Sequence, residues 1–104
     1  MRIVKEAFLV AAAREHSEVA NSLNAWRKFV KAASWRDLVD VQRTYPDTDT
    51  VKVGSGRQVL VFRFNSRGNE YRLIVAAHFE RRIVYTIGFL TQAEYSKNRW
   101  PDAL

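Results

Sequence analysis

The hydrophobic period of this chain changes once, near Val51, and that change constrains the fold more than any other feature. Before it, apolar residues recur at helical spacing. Val4, Phe8 and Ala11 predict a first helix over roughly residues 4–14. Val19, Leu23, Trp26, Val30 and Ala33 recur at intervals of four, three, four and three. They form one face of a second helix, with Arg27, Lys28 and Lys31 largely off the stripe and Ser17 as its expected N-cap. Trp26 and Phe29 read as core packing. Ser34, followed three residues on by Asp37, has the spacing that opens a third, short helix with Trp35, Leu38 and Val39 turned inward. Tyr45-Pro46 closes that helix, because proline disfavours a helical residue before it.

After residue 50 the period is two. Val51 to Val53 reads as a short strand, Gly54-Ser55-Gly56 as a turn, and Gln58 to Phe64 as the next strand. Leu60, Phe62 and Phe64 share one face of it; Val59, Val61 and Arg63 share the other. Residues 65–69 turn the chain. From Tyr71 to Phe79 the odd positions Tyr71, Leu73, Val75, Ala77 and Phe79 face one way, and Arg72, Ile74, Ala76 and His78 the other. Glu80-Arg81-Arg82 is a polar connection to a last strand, Ile83 to Leu90. Short turns between consecutive strands make an antiparallel meander. Thr91 with Glu94 is a capping box that opens a helix through about Asn98. The expectation is a single α+β domain over residues 1–104, with N-terminal helices, a small antiparallel sheet and a short C-terminal helix.

Charge follows the same division. The net charge is +6, of which residues 1–51 carry +1 and residues 52–104 carry +5. The strand half therefore holds the field that attracts a polyanion, although a basic soluble surface with no partner has the same composition. With 47% hydrophobic residues the chain can build a core. No apolar run approaches the ~20 residues of a membrane span. The N-terminus, Met1-Arg2-Ile3-Val4-Lys5-Glu6, lacks the apolar centre of a signal peptide, so a cytoplasmic protein is expected.

The residues also limit the chemistry. There is no cysteine, which removes thiolate metal sites and Cys/His nucleophiles. The two histidines, His16 and His78, fall on different elements without ligand spacing, so no metal and no cofactor are expected. No Gly-x-Ser-x-Gly elbow, Walker loop or dinucleotide fingerprint occurs. Arginine, lysine, tyrosine and a few amides remain. Such a set can cleave RNA, because the ribose 2′-OH is itself the nucleophile. The protein must then orient that hydroxyl, stabilise charge at phosphorus and assist proton transfer. Arginine offers a planar fork matched to phosphate oxygens.

Two segments carry a family resemblance. Phe64-Asn65-Ser66-Arg67-Gly68-Asn69-Glu70-Tyr71-Arg72-Leu73 resembles the Phe-Asn-x-x-Gly-Asn-x-Tyr-Arg-Leu motif of HigB-type toxins. Thr91-Gln92-Ala93-Glu94-Tyr95 resembles their Thr-His-x-Glu-Tyr motif, and Ala33-Ser34-Trp35 and Tyr45-Pro46 match the family's course. The resemblance implies a RelE-like fold, in which N-terminal helices pack on a small antiparallel sheet, and the toxin half of a type II toxin–antitoxin pair. It implies an endoribonuclease that cuts mRNA, typically on the ribosome, and a HigA-type antitoxin as partner. The chain departs from the family pattern twice: Gln92 stands where the family usually has His, and Ile87 where it usually has a strand Arg. Glutamine is neither a general base nor a general acid at pH 7. A non-catalytic RNA- or protein-binding relative is therefore the alternative.

The residues assigned to catalysis are Arg72, Tyr95 and Gln92; those assigned to RNA binding are Arg63, Arg67, Asn69, Lys97 and Arg99. Arg72 is the first choice for phosphate contact, against a structural ion pair with Glu70. Arg63 joins it if the register puts both on one face. Arg67 is weighed against a solvated turn residue, and Tyr95 against helix-to-sheet packing. Gln92 sits near a helix N-terminus, where backbone N–H groups favour an anion. His78 replaces the missing histidine only if it reaches the same site.

Overall fold

The computed structural model describes residues 1–97 and 99–101. Its elements run β1 (Arg2–Val4), α1 (Glu6–Glu15), a 3₁₀ turn (Ser17–Val19), α2 (Ala20–Ala32), α3 (Leu38–Thr44), β2 (Asp49–Lys52), β3 (Gln58–Ser66), β4 (Asn69–His78), a second 3₁₀ turn (Phe79–Arg81), β5 (Ile83–Thr91) and α4 (Gln92–Ser96). The strands form one sheet in the order β1-β5-β4-β3-β2. The period change near Val51 is thus the boundary between helices and meander, and the fold is α+β with a short C-terminal helix. Asn98, the expected end of that helix, lies outside the described residues.

The N-terminus departs from expectation. Residues 2–4 are a strand, not the start of a helix, and pair in parallel with β5, Ile3 opposite Val84. The sheet is therefore mixed rather than purely antiparallel. Lys5, at φ 63°, turns the chain from β1 into α1. Because α1 begins only at Glu6, its inward stripe falls on Leu9 and Ala12, and Phe8 and Ala11 point outward. The rest of the helical stripe holds: Val19, Leu23, Trp26 and Val30 are fully buried. Ser17 is not the cap of α2, since it opens the 3₁₀ turn that precedes the helix. Asp37 alone caps α3, accepting from the Asp40 N–H. That start puts Val41 inward and leaves Val39 57% exposed. Phe29 is likewise 58% exposed, on the flank of the α2 stripe, so it is not core.

The main core lies between the helices and one face of the sheet. Phe62 of β3 is its centre. Its ring meets Trp26 edge-on at 5.3 Å, Tyr45 edge-on at 5.5 Å, and Trp35 in a stacked arrangement at 6.3 Å. Such pairs add to simple area burial. The opposite face of the same strands carries a second, smaller cluster of Val53, Val59, Val61 and Ile74, against which Ile87, Leu90, Tyr95 and Trp100 pack. Strand alternation thus gives the sheet a helix-covered face and a face on which Tyr95 of α4 and Trp100 pack. The β3–β4 hairpin turns at Arg67 and Gly68, both at positive φ. That pair of left-handed residues is the turn whose twist matches two antiparallel strands, and glycine occupies the second position at little steric cost.

Candidate functional site

The second face of the sheet brings the expected cations together. In the β3–β4 ladder Arg63 pairs with Arg72, and Leu90 of β5 is the next residue across. The three form one row on that face. Arg72 is the more enclosed of the two arginines: its side chain is 6% exposed. Its Nη2 donates to Glu70 Oε2 at 3.0 Å, and its guanidinium lies 5.3 Å from the centre of the Tyr95 ring. Glu70 precedes Arg72 by two residues on the strand, so both side chains share the face. The ion pair with Glu70 and the contact with α4 are therefore both present. Arg63 is half-exposed and pairs with Asp49 of β2 at 3.3 Å.

Helix α4 supplies the other wall. Its capping box is complete. The Thr91 hydroxyl accepts from the Glu94 N–H, and Glu94 Oε1 accepts in return from the Thr91 backbone at 3.1 Å and from the Thr91 hydroxyl at 3.0 Å. The hydrogen bonds from Thr91 hold the Glu94 carboxyl below the usual carboxylate range. The cap fixes a five-residue helix that propensity alone would not hold. Tyr95 then reaches back over Arg72 and stacks on Trp100 at 5.3 Å. Trp100 Nε1 is buried with no hydrogen-bond partner among the described residues. Gln92 lies three residues before Tyr95 and so neighbours it on the helix. Its side-chain amide donates to Ser96 Oγ at 2.9 Å.

Other candidates lie elsewhere. Arg67 is in the hairpin turn and Asn69 at the adjoining end of β4, both exposed. The Tyr71 hydroxyl first, and the charge of Arg67 least, lower the pKa of Glu18, on the helix side of the sheet. Lys97 and Arg99 are exposed beyond α4. His78 is six residues along β4 from Arg72, with its ring edge-on to Tyr85 at 5.2 Å. Tyr71 projects to the helix face. It stacks parallel on Phe89 at 5.3 Å, lies beside His16, and donates its hydroxyl to Glu18. This Glu18–Tyr71–His16 group was not read from the sequence. Strand alternation, which separates Tyr71 from Arg72, was the signal for it.

Ile87 has a distinct backbone role. Between Ile74 and Val75 the β4–β5 register shifts, pairing Ile74 with Gly88 and Val75 with Thr86. Ile87 is the extra residue of a β-bulge, and its side chain packs on the second cluster. Bulges re-aim side chains beside functional sites.

A family model described as HigB_toxin, the RelE-like toxic component of a toxin-antitoxin system, matches residues 19–98. The chain belongs to this family. It is a RelE-like toxin, and an antitoxin is the partner that such a system implies. The matched span runs from the start of the α2 region through α4 and includes Arg63, Arg72, Ile87, Gln92 and Tyr95. No curated relative matches the chain. No helix among the described residues is long and apolar enough to cross a membrane.

Proposed function

We propose that this toxin is a metal-independent endoribonuclease that cleaves mRNA on the ribosome, inhibits translation in the cytoplasm, and is neutralised by a HigA-type antitoxin. One observation carries the reading: a nearly buried guanidinium, Arg72, held between a carboxylate and the ring of Tyr95, with Arg63 opposite it. An enclosed fork of hydrogen-bond donors suits the charge that develops at phosphorus during transesterification.

In this reading a scissile phosphate displaces Glu70 from part of the Arg72 fork, and Arg63 releases Asp49 to take a second phosphate oxygen. The ribose 2′-oxygen attacks phosphorus. The P–O5′ bond breaks, the 2′-OH proton is lost, and the 5′-oxygen gains a proton, leaving a 2′,3′-cyclic phosphate and a 5′-OH. Tyr95 and Gln92 position the ribose and its phosphate. Gln92 supplies hydrogen bonds but no titratable proton. Arg67, Asn69, Lys97 and Arg99 extend the RNA contact beyond the reacting phosphate.

Induced expression tests this directly. Growth arrest that co-expression of the antitoxin relieves, with cellular mRNA fragments ending in 2′,3′-cyclic phosphate, is the expected result. Antitoxin binding without arrest or fragments would instead support a non-catalytic relative of the toxin fold.

A further inference from the structure

The second face of the sheet has another concavity, at the opposite end from Arg72. It measures about 690 Å³ and is lined by residues of the β2–β3 turn, β3, β4 and β5. That volume is within the range of small-ligand sites. Six residues of β4 separate Arg72 from His78, which is about 20 Å of strand. The floor is Val59, Ala76 and Ile87. Ala76 is small, which opens the hollow, and the bulge at Ile87 sets that side chain into its wall. Arg57 and His78 stand at the rim. Among the described residues neither Arg57 nor His78 makes an ion pair, in contrast to Arg63 and Arg72.

We infer that this hollow is a nucleobase subsite, which takes one unstacked base of the RNA strand whose scissile phosphate lies at Arg72. The inference rests on the RNA-cleaving reading above and adds a second point of contact to it. Single-stranded RNA is recognised where bases splay out, stack on aromatic rings or guanidinium planes, and present their edges to hydrogen-bonding groups. The hollow supplies such planes at its rim, the His78 ring and the Arg57 guanidinium, above an apolar floor. Val59, Ala76 and Ile87 offer an apolar bed for the base plane. Arg57, with no ion-pair partner among the described residues, can take the adjoining phosphate. His78, its ring set by Tyr85, closes the mouth. An acidic antitoxin segment would be drawn to Arg57 as well. The apolar bed and the shared sheet face with Arg72 and Tyr95 favour RNA.

Isotope-labelled toxin titrated with each of the four nucleoside monophosphates, and then with a short RNA, tests the assignment. The Ala76 and Ile87 methyl signals and the His78 ring signals should move with mononucleotide, and by different amounts for different bases. Ala76→Leu, which fills the hollow, should weaken RNA binding about fivefold to a hundredfold, the range for loss of one base contact. It should leave the thermal transition and antitoxin binding as in the unaltered protein. Three results would overturn the assignment. If RNA moves the Arg72 and Tyr95 signals and not those of Ala76, Ile87 and His78, the subsite is wrong and the cleavage reading survives. If the hollow responds to antitoxin alone, it is a protein interface. If RNA moves no signal on this face, both readings fall.

Discussion

Arg63 and Arg72 stand directly opposite each other in the β3–β4 ladder, on the same face of the sheet. Like charges in that relation destabilise a sheet. Each arginine has its own carboxylate, Asp49 at 3.3 Å and Glu70 at 3.0 Å. Two adjacent cations are thereby held in place with their charge compensated. A phosphate that spans both meets two forks at once.

On the proposed reading, Glu70 competes with RNA for Arg72. Glu70→Ala is expected to raise affinity for a short RNA at low salt and to lower stability by about 1.5–3 kcal/mol, the range for a lost hydrogen bond to a charged group. Fluorescence anisotropy and thermal denaturation measure the two effects. RNA affinity that falls along with stability would show that Glu70 serves the site rather than restraining it.

The Glu18–Tyr71 bond makes stability depend on pH in acid. The Tyr71 hydroxyl donates to Glu18 and holds its carboxyl below the ordinary value of 4.5. A carboxyl lowered on folding contributes stability that is present above 4.5 and is lost as pH falls through the folded-state value. Tyr71→Phe should therefore destabilise the toxin at pH 7, and the difference from the unaltered protein should narrow below about pH 4. Urea denaturation over pH 3–7 measures it, and a difference independent of pH would contradict the account.

The sheet was largely legible in the sequence because period-two alternation settles both faces of a strand at once. Phe62 and Val61 fell on opposite cores as expected, and Arg63 and Arg72 came to share a face once the Arg67-Gly68 turn fixed the register. Residues 2–4 were not legible. Three residues are too few to show a period, and their pairing partner, β5, lies some eighty residues away. The exposure of Phe29 and Val39 was hidden for a different reason: each lies beside an apolar stripe, and small changes in where a helix starts decide the flank. Within the site, the capping box announced α4, which brings Tyr95 onto Arg72. The bulge at Ile87 left no mark in the local pattern, because an extra residue shows only when two strands are paired.

Gln92 offers a gain-of-function test. It neighbours Tyr95 on α4 and is exposed, so a histidine there fits without burial. Gln92→His places a group that titrates near pH 6.5 beside the site, and cleavage near neutral pH should rise. The pH–rate profile should gain an inflection near that value. An unchanged profile would assign proton transfer to another residue.

The most direct measurement is cleavage of a defined mRNA by Arg72→Ala, with circular dichroism and antitoxin binding followed in the same preparation. If Arg72 grips the scissile phosphate, the rate should fall by about 10²–10³, the usual cost of losing one donor to a transition-state oxyanion. Fold and antitoxin binding should persist, and induced expression should no longer arrest growth. A folded Arg72→Ala protein that cleaves mRNA at the unaltered rate would contradict the account.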